Sequence, residues 1–409
     1  MPPREIVVGL DIGTTKVCTL VGEIDRDDHI EILGMGMAPS TGMRKGLVVD
    51  IAATIQAIQE STAAASRASG VHIASVYVGV TGDHIRSLNS RATVDVDGEV
   101  TPDLVERALL KARQIPLEPD REILHNIPRQ YLVDDLGGVR HPVGMSANRL
   151  GVETHVVTGS SAMLENVVKC VEGAGLTIEG LVLEPLATGL AVLTDAERAL
   201  GTVLADIGGG TTDVAFFVDS SPALSAAIPV GGQHVTNDLS LLFRLDPADA
   251  ESLKVTHGAA RSLDVDPEEF VEIHQIAEDD AREIPRMLLP EVIEPRMGEL
   301  FRLVKEQVDR AAGEGIFVTR CVLSGGGSQL TGTVALARQI LEVPVRVGIP
   351  RDITDLQNQV EGPIYATAVG LLRYAATRIA ARRPVRSPGS LPANAFRRLK
   401  HFWRRLTGR

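Results

Sequence analysis

Aromatic residues are scarce in this chain: eight Phe, four Tyr and a single Trp among 409 residues. Its interior must therefore be built mainly from aliphatic side chains and alanine. Cysteine is scarcer still. Cys18, Cys170 and Cys321 are odd in number, far apart and set in apolar runs, which excludes a disulfide framework or a zinc site and reads as reduced core thiols. Long apolar runs are missing too. Before Asp11 there is only "IVVGL", and no later run approaches the ~18 apolar residues of a membrane span, so the expected location is the cytoplasm. A net charge of −12 argues against a general nucleic-acid binder. One absence is local: no acidic residue follows Glu361. Eleven of the 41 Lys and Arg lie beyond it, leaving 30 basic against 53 acidic residues before it.

What is present is an ordinary soluble composition, 44% apolar and 23% charged, at a length that suits two to four domains. Residues 5 to 37 read as a three-stranded meander broken by Gly and Asp turns. "DIAATIQAIQESTAAASRASG" places Ile51, Ile55 and Ile58 at helical spacing, with Asp50 as the N-terminal cap and Gly70 as the stop. Residues 84 to 159 change character: polar loops, a helix capped by Thr101, and strands in "EILHNIPRQYLVDD" and "NRLGVETHVVTG" read as an inserted α+β module. A helix over 161–173, the strand "LTIEGLVLE" and a helix from Pro185 resume the first pattern. The acid-rich stretch 241–316 reads as a second, helical insertion. These shifts divide the chain into one core from 1–83 and 160–200, a second core from 201–240 and 317–380, a linker over 381–393, and a terminal segment, 394–409.

The two cores repeat one motif. "VVGLDIGTTKVCTL" and "VLADIGGGTTDVAFF" each join an apolar strand ending in Asp to a return strand through glycines and threonines. Backbone N–H groups and hydroxyls in such a turn can surround a phosphate, and glycines let its oxygens approach the backbone. Asp11 and Asp206 are placed beside it as oxygen ligands of Mg²⁺, through water rather than directly. One such hairpin is ordinary. Two copies about half a chain apart indicate a duplicated βββαβα unit closing on a common cleft. A third cluster, "LSGGGSQL", lies between a strand and a helix, where free N–H groups favour an anion.

"LDIGTTK", "LEPLATGLAVL", "ADIGGGTTDVA", "LSGGGSQL" and "GPIYATAVGLL" resemble the phosphate, connecting and adenosine motifs of the actin, sugar-kinase and DnaK-type ATPase superfamily. Within it, "IPRQYLVDDLGGVRHPVGMSANRLGVETHVVTG", "GGQHVTNDLS" and "AESLKVTHGAA" are similar to the FtsA family of bacterial cell-division proteins. The resemblance implies an α/β, actin-like fold: two duplicated domains around a nucleotide cleft, with two inserted subdomains and with ATP and Mg²⁺ as cofactors. It implies that Gly13, Thr14, Thr15 and Lys16 hold one side of the phosphates and Gly208, Gly209, Gly210, Thr211 and Thr212 the other. Gly231, Gly232, Asn237 and Lys254 match positions near ribose and adenine, and Gly326, Gly327 and Ser328 the adenosine loop. Lys254 reads equally as a solvated helix lysine. Glu184 matches a residue that orients the attacking water, or is simply a helix-start glutamate. Hydrolysis is expected to be slow or nearly absent.

In "NAFRRLKHFWRRLTGR", Phe396, Leu399, Phe402, Trp403 and Leu406 gather on one helical side, flanked by Arg397, Arg398, Lys400, Arg404 and Arg405. A basic amphipathic helix behind a linker reads as a weak, reversible anchor on an anionic membrane, at roughly 1 kcal/mol per basic residue. Assembly would multiply that avidity. The resemblance adds self-assembly into filaments, a peripheral place on the cytoplasmic membrane face at the division septum, and recruitment of later division proteins. It also implies docking of the C-terminal peptide of FtsZ, the tubulin-like division protein, on 241–316, where Arg296, Arg302 and Lys305 stand among Leu300, Phe301 and Leu303. The rival readings are a small-molecule, sugar-type kinase of the same superfamily, a DnaK-type chaperone, for which too few residues follow the adenosine loop, and a pilus-assembly relative.

Overall fold

A computed structural model describes residues 5–25, 28–276, 281–355 and 360–382. The expected linker, apart from its first two residues, and the whole amphipathic segment 394–409 lie outside them. Two sheets carry the same plan. In the first, Ile30–Pro39, Lys16–Ile24 and Glu5–Ile12 run antiparallel, followed by the parallel strands Ser75–Val80 and Thr177–Leu183. In the second, Ser221–Ile228, Thr212–Val218, Thr202–Ile207, Arg320–Ser324 and Val345–Val347 follow in the same order and sense. The repeat seen in the hairpin motifs therefore extends to whole sheets.

Strands buried on both faces explain the near-continuous apolar runs. One face of the first sheet packs Val8 and Leu10 against Ile58 and Ala65 of helix Ile51–Ser69 and Leu164 and Val171 of helix Ser161–Gly173. Asp50 caps the first helix by accepting from the Ala53 N–H at 3.0 Å, and Gly70 ends it at φ 69°. Its inward face is Thr54, Ala57, Ile58, Ser61, Thr62 and Ala65, while Ile51, at the first turn, is exposed. The opposite face of the first sheet meets the second sheet across a layer of two helices, Glu184–Val192 and Ala366–Arg382. These cross so closely that a Cβ on Gly370 would lie 2.0 Å from the Ala187 carbonyl oxygen. Beyond the second sheet, helices Gly232–Phe243, Leu288–Gly313 and Thr333–Leu341 cover Val214 and Phe216.

Three features depart from the sequence reading. The segment after Ile353, read with the second core, also joins the first: Ile353–Thr354 pairs parallel to Ile30, and helix Ala366–Arg382 packs on Val7, Leu20 and Tyr77 of the first sheet. Residues 86–99, expected as polar loop, form the strand Arg86–Glu99 on the sheet with Ser146–Ser160, Arg121–Val133 and Leu136–Val139. Only Ala92, Val94 and Val96 of that edge strand face the helix Pro102–Arg113, so its hydrophobic alternation is three residues long. The second insertion is not all helix, since Phe270–Ile273 and Arg282–Pro285 form a hairpin with Val271, Ile273 and Ile284 turned inward.

Candidate functional site

Both aspartate turns close identically. The Gly13 N–H donates to the Lys16 carbonyl at 2.9 Å, and the Gly208 N–H to the Thr211 carbonyl at 2.9 Å. The two hairpin tips meet across the gap between the sheets. A Cβ on Gly209 would lie 2.4 Å from Thr15 Cγ2, and one on Gly210 would lie 2.5 Å from Thr14 Oγ1 and 3.1 Å from Lys45 Cα. These glycines are thus required by the opposing hairpin itself. The sequence reading had assigned them to approach by a ligand. A third segment joins them, since the Gly46 N–H reaches Thr14 Oγ1 at 3.4 Å.

Behind the tips lies a cavity of 340 Å³. Asp11, Gly13, Thr14, Thr15, Lys16, Glu184, Asp206, Gly208, Gly209, Gly210, Thr211, Gly232, Lys254, Gly326 and Gly327 all line it. Four expected residues do not. Thr212 is buried and donates to the Val230 carbonyl at 2.8 Å, and the Ser328 hydroxyl closes its own turn on the Gly325 carbonyl at 2.7 Å. Asn237 Oδ1 accepts from Gln233 Nε2 at 3.3 Å, one helical turn away, and the Gly231 N–H is taken by His234 Nδ1 at 3.1 Å.

Lining residues that sequence reasoning passed over include Thr81, Asp213, Gln233, Glu251 and Thr367. Asp213 had a signal: a six-residue hairpin register sets it directly opposite Asp206, as Cys18 stands opposite Asp11. Thr188 and Thr367 also had one, the Ala-Thr pair repeated in "LATGL" and "YATAVGLL". Thr188 Oγ1 donates to Asp206 Oδ2 at 2.6 Å, Thr367 Oγ1 does so at 3.2 Å, and the two hydroxyls lie 3.0 Å apart. The duplication is thus broken at the centre, where both threonines serve the second aspartate.

Four carboxyl groups, Asp11, Glu184, Asp206 and Asp213, are buried together around the cavity. Burial pushes Asp11 up to about 6, with Lys16 pulling it down and Asp206 pushing it up. Burial likewise drives Asp213 up to about 7 against the opposing hydrogen bond from the Thr81 hydroxyl. Glu184 is raised well above the carboxylate range by burial and then by Asp11, Asp213 and Asp206, and Asp206 is raised by burial although Thr188 and Thr367 donate to it. Lys16 is the cation that faces them; its Nζ donates to the Ile364 carbonyl at 2.6 Å and lies 4.9 Å from the centre of the Tyr365 ring. Such an excess of buried negative charge fits a hydrated divalent cation. Among the described residues no three Asp, Glu, His or Cys side chains converge to ligate an ion directly.

At the other end, Lys254 is no solvated lysine. Its Nζ donates to Glu251 Oε2 at 2.7 Å, Thr236 Oγ1 at 2.9 Å and the Gly232 carbonyl at 3.2 Å. The N-terminus of helix Gly232–Phe243 is tied to the second hairpin, since the N–H groups of Gly232 and Gln233 reach the carbonyls of Gly208 and Gly209 at 2.9 and 2.8 Å. The site therefore combines a hydroxyl-rich end, where Lys16 faces four buried carboxyl groups, with a carboxylate–lysine pair at Glu251 and Lys254.

A second surface is a groove bounded by Pro290, Pro295, Gly298 and Arg302 on one helix and Leu336 and Ile340 on the other. Arg296 is engaged by Asp238 at 2.7 Å and by Glu299, and Lys305 by Glu342 at 3.0 Å. Leu300 and Phe301 belong to the core and are not surface residues. Arg302 alone of the three expected cations has no hydrogen bond or ion pair to another described residue.

Solved structures share the fold across nearly the whole chain. A PilM–PilN type IV pilus biogenesis complex superposes with a TM-score of 0.66 at 19% identity, covering 91% of this chain and 99% of that one. MreB 5 of Spiroplasma citri bound to AMPPNP gives 0.54 at 14% identity, covering 93% and 98%. The fold is the actin-like one. Sequence comparison goes further: the Cell division protein FtsA of Pseudomonas aeruginosa is 41% identical over 371 residues, 90% of this chain and 89% of that protein. The chain belongs to the FtsA family of cell division proteins. The FtsA of Escherichia coli K12 is 38% identical over 379 residues, 91% of this chain and 90% of the relative. The family profile described as Cell division protein FtsA matches residues 203–370, and that described as the SHS2 domain inserted in FTSA matches 82–158. In this FtsA-family chain no described helix is long and apolar enough to cross a membrane.

Proposed function

We propose that the chain binds ATP with Mg²⁺ in the cleft between its two sheets, assembles into filaments, and tethers FtsZ to the cytoplasmic face of the cell membrane at the division septum. The observation that carries the nucleotide reading is the meeting of two hairpins with the same turn closure over four buried carboxyl groups and Lys16. Lys16, the hydroxyls of Thr14, Thr15 and Thr211, and the turn N–H groups would hold the phosphates. Asp11 and Asp206 would hold the hydrated Mg²⁺, which supplies charge neutralisation on the phosphate oxygens. Glu251 accepts and Lys254 donates at the end suited to ribose and base, with Gly326 and Gly327 beneath. Glu184 would hold a water at the terminal phosphate; slow turnover suits a switch better than a dedicated catalyst.

The domain reading is part of the proposal: residues 84–159 are an inserted small α+β subdomain and 241–316 a partner-docking insertion on a duplicated core. An acidic, partly apolar peptide such as the FtsZ C-terminus would lie in the groove between helices Leu288–Gly313 and Thr333–Leu341, with its carboxylate on Arg302. The membrane anchor is read from sequence alone, in the segment 394–409.

Filaments seen by electron microscopy on an anionic lipid monolayer only when ATP is present support this reading. Deleting 394–409 is expected to leave ATP binding intact and abolish co-sedimentation with anionic vesicles. Co-sedimentation at the full-length level would remove the anchor from the account.

A further inference from the structure

Glu184 faces two cavities. Besides the large cleft it lines a second, small one together with Gly79, Thr81, His84, Met163 and Leu164. That space measures 10 Å³, about the room one water molecule occupies. Gly79 lines only the small cavity, and a Cβ there would lie 3.2 Å from Glu184 Oε1, so the carboxyl group turns one oxygen toward that side. No described group donates a hydrogen bond to this carboxyl group, although it is buried.

The other polar wall is His84. Both ring nitrogens are buried and neither has a hydrogen-bond partner among the described protein groups. The ring lies against Gly82, where a Cβ would stand 2.9 Å from Nδ1, so the missing side chain makes room for it. Its backbone is pinned because Arg121 Nη2 donates to the His84 carbonyl at 2.9 Å and the Ile85 N–H to the Gly82 carbonyl at 3.1 Å. Asp83 and Arg121 are the charged neighbours of the ring. Thr81, three residues earlier on the same turn, lines both cavities and spends its proton on Asp213, leaving an oxygen lone pair to accept.

A buried carboxyl group, an orphaned imidazole nitrogen and a hydroxyl oxygen around a one-water space form a set that water bridges well, since buried waters take two to four polar partners and orphaned buried groups are costly. We propose that a water molecule in this cavity joins the ring of His84 to the carboxyl group of Glu184, making His84 a positioning residue for Glu184. The imidazole N–H donates to the water and the water donates to Glu184. The orientation of the carboxyl group in the main cleft is then set from behind, by a residue outside that cleft.

This inference deepens the reading of Glu184 as a cleft residue, yet its test needs no nucleotide, so its failure and that of the ATP reading are distinguishable. The full chain labelled with ¹⁵N-histidine is compared with the Glu184→Gln and Glu184→Ala variants by NMR. The expected result is a displacement of the His84 ring-nitrogen resonances and a changed tautomer ratio in both variants, with those of His155, which bonds Asn89 and Ser225, unmoved. A His84→Asn variant assigns the resonances by their loss. His84 signals that ignore both substitutions overturn the proposal. A crystal structure at water-resolving resolution is expected to show a water within hydrogen-bond distance of both residues; a dry cavity overturns it equally.

Discussion

Gly209→Ala isolates the contact between the two hairpins. The φ of Gly209 lies outside the left-handed region, so alanine adopts its backbone without strain and the whole effect comes from the added methyl group. That methyl would stand 2.4 Å from Thr15 Cγ2 and 3.1 Å from Thr15 Oγ1, well inside contact distance. Relieving an overlap of this kind in a packed site costs about 1–3 kcal/mol. If the closed arrangement is the one that binds ATP, the cost appears as a loss of affinity of roughly 5- to 150-fold. The assay is calorimetric titration of Mg-ATP, with thermal unfolding as a check that the fold survives. The control is Thr15→Ser, which deletes Cγ2 and keeps the hydroxyl. The double variant is expected to recover most of the loss, giving a coupling energy that distant, independent sites do not show. Unchanged affinity in Gly209→Ala would refute the contact. A loss that Thr15→Ser fails to rescue would return the glycine to the role the sequence reading assigned it, close approach by the phosphates.

Two further outcomes are expected. Asp213 is raised from 3.8 to about 7 and Asp11 to about 6, so the folded chain holds protons that the unfolded chain releases. Without divalent cation, the stability these two groups contribute should therefore be greatest at low pH and be lost as pH rises from about 4 through about 7, and the raised Glu184 and Asp206 act in the same direction. Denaturant midpoints across that window should show a shallower slope in Asp213→Asn; a slope of opposite sign would contradict the shifts. Arg302→Glu should weaken binding of a labelled FtsZ C-terminal peptide by roughly tenfold or more, the loss of one charge-assisted contact plus repulsion, while leaving ATP affinity unchanged. Fluorescence anisotropy checks it, and full peptide affinity would move the docking site away from the groove.

Local chemistry made the caps and turns legible. Asp50 and Gly70 bound their helix where the side-chain hydrogen bond and the left-handed φ require, and both aspartate hairpins stand where the Asp-Ile-Gly stretches and the threonine pairs announced them. Long-range pairing was not legible. Nothing near Ile353 states that it will lie beside Ile30, more than 300 residues away, because a two-residue strand carries no period. Arg86–Glu99 hid for a related reason: an edge strand packed on one face over three residues shows mostly polar side chains. Within the site, the glycines and Lys16 could be read from their motif. The roles of Asp213, Thr188 and Thr367 depend on cross-strand register and on two helices meeting between the sheets, which no single stretch encodes. Lys254 was ambiguous for the same reason, since its three acceptors come from a different helix and from one turn of its own.

In the proposed function the two hairpins enclose one nucleotide. Calorimetric titration of Mg-ATP into the full chain, beside Lys16→Ala, tests it most directly. The predicted result is saturable binding of one ATP per chain, weakened about tenfold or more when the ammonium facing the four carboxyl groups is removed, the scale of a charge-assisted contact. No heat of binding, or affinity indifferent to Lys16, would contradict it.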